Sequence, residues 1–202
     1  MIKEVLLITP GRYDSDEYGT KFKKGEVVPN EYRLTPKGIE DACWLGDNIN
    51  KSKSTPSFIF STKEEMCIQT ALIIAGRVTS IQNIPAAITG KPINGRGAFL
   101  SRGPEFTTYN EKIDCFWMRL REAFKTDDGI RRYFYDLQVI PNDVEQIALI
   151  STPAFDGAFN KCKSSSGGKS HPLWICPVIY KFDVAKQSLD ELVPYDGRFG
   201  CV

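Results

Sequence analysis

The chain predicts an α/β domain: a three-layer sandwich with a mainly parallel central sheet and helices on both faces. Three observations carry that prediction. Short apolar runs, the first of them Val5–Ile8, alternate with helical patterns along the chain. Two of the runs end in the same abrupt turn, Thr9-Pro10-Gly11 early on and Thr152-Pro153-Ala154 much later, while a third ends in Ser61-Thr62. In a parallel sheet these three carboxyl ends open on one rim, where open α/β sheets bind their ligands.

Taken in order, the first strand covers residues 5–8 and leads into a charged, Gly- and Pro-containing loop at 14–33. A helix follows, with Thr35 as N-cap and Pro36 at its first position, where a missing N–H costs nothing. Ile39, Ala42, Leu45, Gly46 and Ile49 recur at helical spacing and predict its buried face. Residues 57–61 read as the second strand and 63–78 as a helix with acids in its first turn, where the helix dipole favours them. Leu72 and Ile73 are expected to pack on the sheet. Residues 84–89 read as a short strand, 89–104 as an irregular excursion with four glycines and two prolines, and 105–125 as a long amphipathic helix. The strand at 147–151 repeats the opening pattern, 164–168 reads as a surface loop, and 173–184 alternates well enough for a last strand. With no linker in sight, 1–202 is expected to form one domain.

Composition removes several function classes. At 202 residues the chain can bury a real core, and a formal charge of +1 advertises neither nucleic acid nor an anionic membrane. No run approaches the ~18 apolar residues of a membrane-spanning helix. Met1-Ile2-Lys3-Glu4 carries an acid and enters a strand directly, unlike a signal peptide. The six cysteines (43, 67, 115, 162, 176 and 201) form no C-x-x-C pair and read as mostly reduced core residues of a cytoplasmic chain. A single histidine, His171, excludes a metal site built on several imidazoles. No metal or cofactor is expected.

Two apparent motifs fail on their physics. Cys115 to Arg121 has the Cys-x5-Arg spacing of a thiol phosphatase, but bulky residues in a helical pattern replace the small turning loop that a phosphate cradle needs. The run from Lys163 to Ser170 resembles a phosphate loop, yet it lacks the first glycine and precedes Pro172 and a strand rather than opening a helix. His171, beside Pro172, has no clear acidic or cysteine partner near in sequence and reads as solvent-facing.

The order of segments resembles the histidine phosphatase superfamily, the phosphoglycerate-mutase-like fold, over most of the chain. The run "VLLITPGR" stands where that family has a strand followed by Arg-His-Gly. "LTPKGIEDACWLGDNI" is similar to its Leu-Thr-x-x-Gly-x-x-Gln-Ala helix, with Leu34, Thr35, Gly38 and Ala42 in register. "FSTKEEMCIQTALIIA" is similar to Ser-Ser-x-x-x-Arg-x-x-x-Thr-Ala, with Ser61, Thr70 and Ala71 matching. "ALISTPAF" falls where the second catalytic histidine follows a strand. The resemblance implies a phosphohistidine enzyme, in which the first histidine is the nucleophile and two arginines and the second histidine grip the phosphoryl group.

Here those positions carry Thr9 for the first arginine, Pro10 for the nucleophile, Met66 for the second arginine and Pro153 for the second histidine. A proline amide nitrogen has no usable lone pair, and threonine and methionine cannot neutralise a transferring phosphoryl group. The segment expected to hold the general acid, 94–105, offers Arg96, Arg102 and one carboxylate, Glu105. The resemblance with these departures implies a catalytically inactive domain that binds a protein partner or a small anion. The degenerate pocket would comprise Thr9, Pro10, Gly11, Arg12, Ser61, Lys63, Met66, Arg96, Thr152 and Pro153. Weak attraction for phosphate or sulfate would come from Arg12, Lys63 and a helix N-terminus, with Arg96 or Arg102 reaching in and Glu64 and Glu65 opposing. Pro10, Met66, Pro153 and Phe155 would make the rim apolar, beside an exposed patch near 97–109 holding Phe99, Leu100 and Phe106. Two other classes stay open: an enzyme using Thr9, Thr152, Asp14 or Asp156, and a structural subunit of a larger assembly.

Overall fold

The computed structural model describes residues 1–13, 33–61, 64–82, 122–133, 140–151 and 177–193. They form a five-stranded sheet in the order β2-β3-β1-β4-β5, built from β1 (Glu4–Ile8), β2 (Phe58–Ser61), β3 (Gln146–Ile150), β4 (Ile179–Asp183) and β5 (Ser188–Val193). β1 and β2 each pair with β3 in parallel, whereas β4 runs antiparallel to both β1 and β5. Four of these five strands therefore point the same way. Val5 to Ile8 are wholly buried, the continuous apolar run of a strand covered on both faces.

Helix α1 (Pro36–Lys51) and helix α2 (Glu65–Arg77) cover one face. Leu6, Ile8, Ile59, Ala148 and Ile150 meet Ala42, Leu45, Ile49, Met66, Ala71 and Ile74 there. The opposite face carries Val5, Leu7, Phe58, Phe60, Ile147 and Leu149 against Phe124 and Ile130, the latter on the short helix α3 (Asp127–Tyr133). Phe124 packs on Phe182 with ring centroids 5.5 Å apart. The two cores, separated by the sheet, are the three-layer arrangement that the alternation predicted.

Local chemistry explains the start of α1. Thr35 has an extended backbone, its Oγ1 accepts from Gly38 N–H at 3.0 Å, and Pro36 opens the helix. α1 and α2 are tied at their far ends by Arg77 to Asp47 (2.8 Å) and by Asn50 Nδ2 donating to the Arg77 carbonyl (3.0 Å).

Three expectations are corrected. Ile39 is 48% exposed and Leu72 46% exposed, so neither belongs to the core, whereas the half-buried Ile73 packs against it as expected. The stripe that α1 buries holds Gly38, Asp41, Ala42, Leu45, Gly46 and Ile49, with the charged Asp41 inside and Ile39 rotated off it. α2 buries Met66, Cys67, Thr70, Ala71 and Ile74, with the polar Thr70 inside and Leu72 on the far side. Nor is β4 the last strand: β5 follows it across a turn in which Gln187 takes a left-handed backbone (φ 52°). That turn lacks the Gly or Asn that usually signals a hairpin. The Gln187 side chain compensates by donating to the carbonyls of Phe124 and Val184 at 2.9 and 2.7 Å. The expected strand at 84–89, the excursion at 89–104, most of the helix at 105–125, the loop at 164–168 and His171 lie outside the described residues.

Candidate functional site

Register brings the strand ends together. Ile8 pairs with Ile150 and Ile150 with Ser61, so β1, β3 and β2 finish side by side on one rim, as expected. The chain leaves β1 through the turn Thr9-Pro10-Gly11-Arg12, buried except for the half-buried Arg12.

Every backbone donor of that turn is used within the chain. Thr9 N–H donates to the Val178 carbonyl at 3.1 Å, and Pro10 has no N–H. Gly11 N–H donates to Thr70 Oγ1 at 3.2 Å, and Arg12 N–H to Asp41 Oδ2 at 3.0 Å. The Thr9 hydroxyl is also engaged, accepting from Val178 N–H at 2.8 Å and reaching its carbonyl at 3.5 Å. Thr70 Oγ1 in turn donates to the Met66 carbonyl one helical turn back, at 2.7 Å.

Two glycines let the turn lie directly on α1. A Cβ on Gly11 would stand 2.2 Å from the Gly38 carbonyl oxygen, and one on Gly38 would stand 1.7 Å from that of Arg12. Only backbone fits at that distance. The Arg12 carbonyl then accepts from Thr35 N–H at 3.0 Å and from Thr35 Oγ1 at 3.3 Å. Beneath it, the Arg12 guanidinium forks onto the wholly buried Asp41, with Nε to Oδ2 at 2.8 Å and NH2 to Oδ1 at 3.0 Å. An antiparallel bridge joins Tyr13 to Leu34, and Leu34 N–H donates to Gln69 Oε1 of α2 at 2.8 Å.

The structure thus gathers Thr9, Pro10, Gly11, Arg12, Ser61 and Met66 around the ends of β1 and β2. Met66 is fully buried between α2 and the sheet, where it packs as core rather than lining an open rim. Ser61 Oγ is buried with no hydrogen-bond partner, and so is Ser151 Oγ just past β3. Lys63, Arg96, Thr152 and Pro153 lie outside the described residues, as do Asp14, Asp156, Phe155, Arg102 and the patch at 97–109. Among the described residues no group of acids, cysteines or histidines could hold a metal ion. No helix among them is long and apolar enough to cross a membrane.

Displaced titrations among the described residues belong to ion pairs away from that turn. Burial pushes the Asp127 carboxyl up, but hydrogen bonds from Ile2 N–H and Arg131 outweigh it and hold the group below its ordinary range. Hydrogen bonds from Lys186 lower Asp183 in the same way.

No family model and no curated protein matches the chain. Solved structures do. The ecdysone phosphate phosphatase of Bombix mori, in complex with tungstate, superposes with a TM-score of 0.55 at 10% identity, covering 96% of this chain and 94% of its own. A phosphoserine phosphatase variant from Entamoeba histolytica, in complex with phosphoserine, gives 0.51 at 17% identity over 98% of both chains. The chain shares the fold of these two phosphatases, which is the fold the sequence resemblance implied. Within this fold, the residues that carry the sequence resemblance act as joints. Gly11, Thr35, Gly38 and Thr70 each clamp the β1 turn to α1 or α2.

Asp41 was missed by the sequence reading. Its signal was a charge interrupting the apolar stripe of α1 three residues after Gly38, a position where a buried acid needs a cation. Gln69 gave no such signal, because its partner, the Leu34 backbone, is shared only through the fold.

Proposed function

We propose that this chain is a non-catalytic member of the histidine phosphatase fold that works by binding a protein partner. The observation that carries the reading is the internally satisfied β1 turn. Its backbone N–H groups go to Val178, Thr70 and Asp41, and Arg12 is forked onto Asp41. Phosphoryl transfer needs fixed donors aimed at the substrate, and a nucleophile with a lone pair to give. Pro10 offers no lone pair, and Met66 lies in the core where the family carries its second arginine. An enzyme working through Thr9 is disfavoured too, because the Thr9 hydroxyl is bonded to Val178. We place the protein in the cytoplasm, a reading supported by Cys43, whose thiol is in no disulfide.

Weak binding of phosphate or sulfate is the second reading. Its support is Ser61 Oγ, buried without a partner three residues before Glu64, the N-cap of α2, whose side chain makes no capping bond. Lys63 and Arg96 would have to supply the positive charge.

The test has two arms. Incubation with phosphomonoesters should release no phosphate and leave no acid-labile phosphoryl group on the chain; recovering such an adduct overturns the reading. In the second arm the Phe99→Ser/Phe106→Ser variant is compared with the unaltered protein. Retained folding by circular dichroism with loss of a reproducibly captured partner supports partner binding. Capture unchanged by the substitution removes the 97–109 patch from the proposal.

A further inference from the structure

We infer that Asp41 is an internal oxyanion, a carboxylate of the chain itself that occupies the anion position of the β1 turn. Arg12 presents it three converging donors: its backbone N–H (3.0 Å), Nε (2.8 Å) and NH2 (3.0 Å). A planar fork of this kind matches a carboxylate or a phosphate equally well. Asp41 is wholly buried, and the Arg12 side chain is only 12% exposed.

The placement is built into the backbone rather than left to side-chain flexibility. Gly38 brings the Arg12 carbonyl onto α1, Thr35 holds that carbonyl with two hydrogen bonds, and Asp41 follows one helical turn after Gly38. In the pattern this chain resembles, position 41 is a neutral glutamine, so the carboxylate and its arginine stand here as a matched pair. An anion arriving at the turn would have to displace a competitor that is tethered to the same helix and never diffuses away. Asp41 therefore closes Arg12 to phosphate-type ligands and leaves the turn rigid without one. This goes beyond the binding reading and rests on it only in treating the turn as non-catalytic.

Chemical rescue tests it. Thermal unfolding is followed for the unaltered protein, D41A, and D41A combined with R12A, in formate, in inorganic phosphate, and in chloride at matched ionic strength. The unaltered protein should show no midpoint shift in formate beyond that in chloride. D41A should melt lower, and formate at about five times its dissociation constant should raise its midpoint by roughly 2–4 °C. The double variant should lose that response. If D41A does not fold in chloride, folding recovered in formate supports the inference, and failure in both media overturns it. D41N provides a second measure: an amide cannot act as an anion, so a midpoint equal to that of the unaltered protein overturns the inference. A formate shift in the unaltered protein, or a rescue that survives loss of Arg12, does the same. Phosphatase activity in the unaltered protein would defeat the binding reading and leave the rescue result standing.

Discussion

Replacing Gly38 by alanine sets two effects of opposite sign against each other. On propensity alone, alanine in a helix is favoured over glycine by at most about 1 kcal/mol. In this fold the new Cβ would start 1.7 Å from the Arg12 carbonyl oxygen and must reach 3.0 Å, below which real Cβ atoms are essentially never found. The obstacle is backbone, so no rotamer relieves it. α1 and the β1 turn must part, which stretches the bonds from Thr35 N–H and Oγ1 to the Arg12 carbonyl and the bond from Arg12 N–H to Asp41. Overpacking costs about 1–3 kcal/mol and each lost bond about 0.5–1.5 kcal/mol, so the clash wins and the net loss is about 2–4 kcal/mol. Gly76 is the control. It lies in α2, and a Cβ there meets nothing within 4 Å, so Gly76→Ala should stabilise by about 0.5–1 kcal/mol. Urea unfolding followed by circular dichroism reads both. A Gly38→Ala protein as stable as the unaltered one would refute the close approach of turn and helix.

Three further predictions concern stability. Leu45→Ala should cost about 2–5 kcal/mol because Leu45 is wholly buried, whereas Leu72→Ala should cost less than about 1 kcal/mol because Leu72 faces solvent; equal costs in urea would contradict the assigned faces. Phe124→Ala should cost about 3–5 kcal/mol, since the ring is fully buried against Phe182; a smaller loss by the same assay would place Phe124 outside the core. Asp127 is held below its ordinary pKa, so its contribution is complete above that value and is lost as the pH falls through the lowered folded value. Asp127→Asn should flatten this acid limb of the stability curve, and an unchanged acid limb in pH-dependent urea titrations would remove Asp127 from it.

Local chemistry was enough to read much of this protein from its sequence. Val5–Ile8 announces a buried strand because four consecutive apolar residues have no other stable place. Thr35-Pro36 starts α1 because a hydroxyl cap and a missing N–H are decided within one turn. The shared rim of β1, β2 and β3 followed from their direction, since parallel strands put their carboxyl ends together. What tertiary structure alone decided rests on partners distant in sequence. The burial of Thr70 and the exposure of Leu72 depend on Gly11, 59 residues before Thr70. The burial of Asp41 and the exposure of Ile39 depend on Arg12, 29 residues before Asp41. Periodicity counts apolar residues and cannot see that a buried acid has been given its cation. The same limit hid the pairing of Arg12 with Asp41, which becomes visible only where two glycines let a turn rest on a helix.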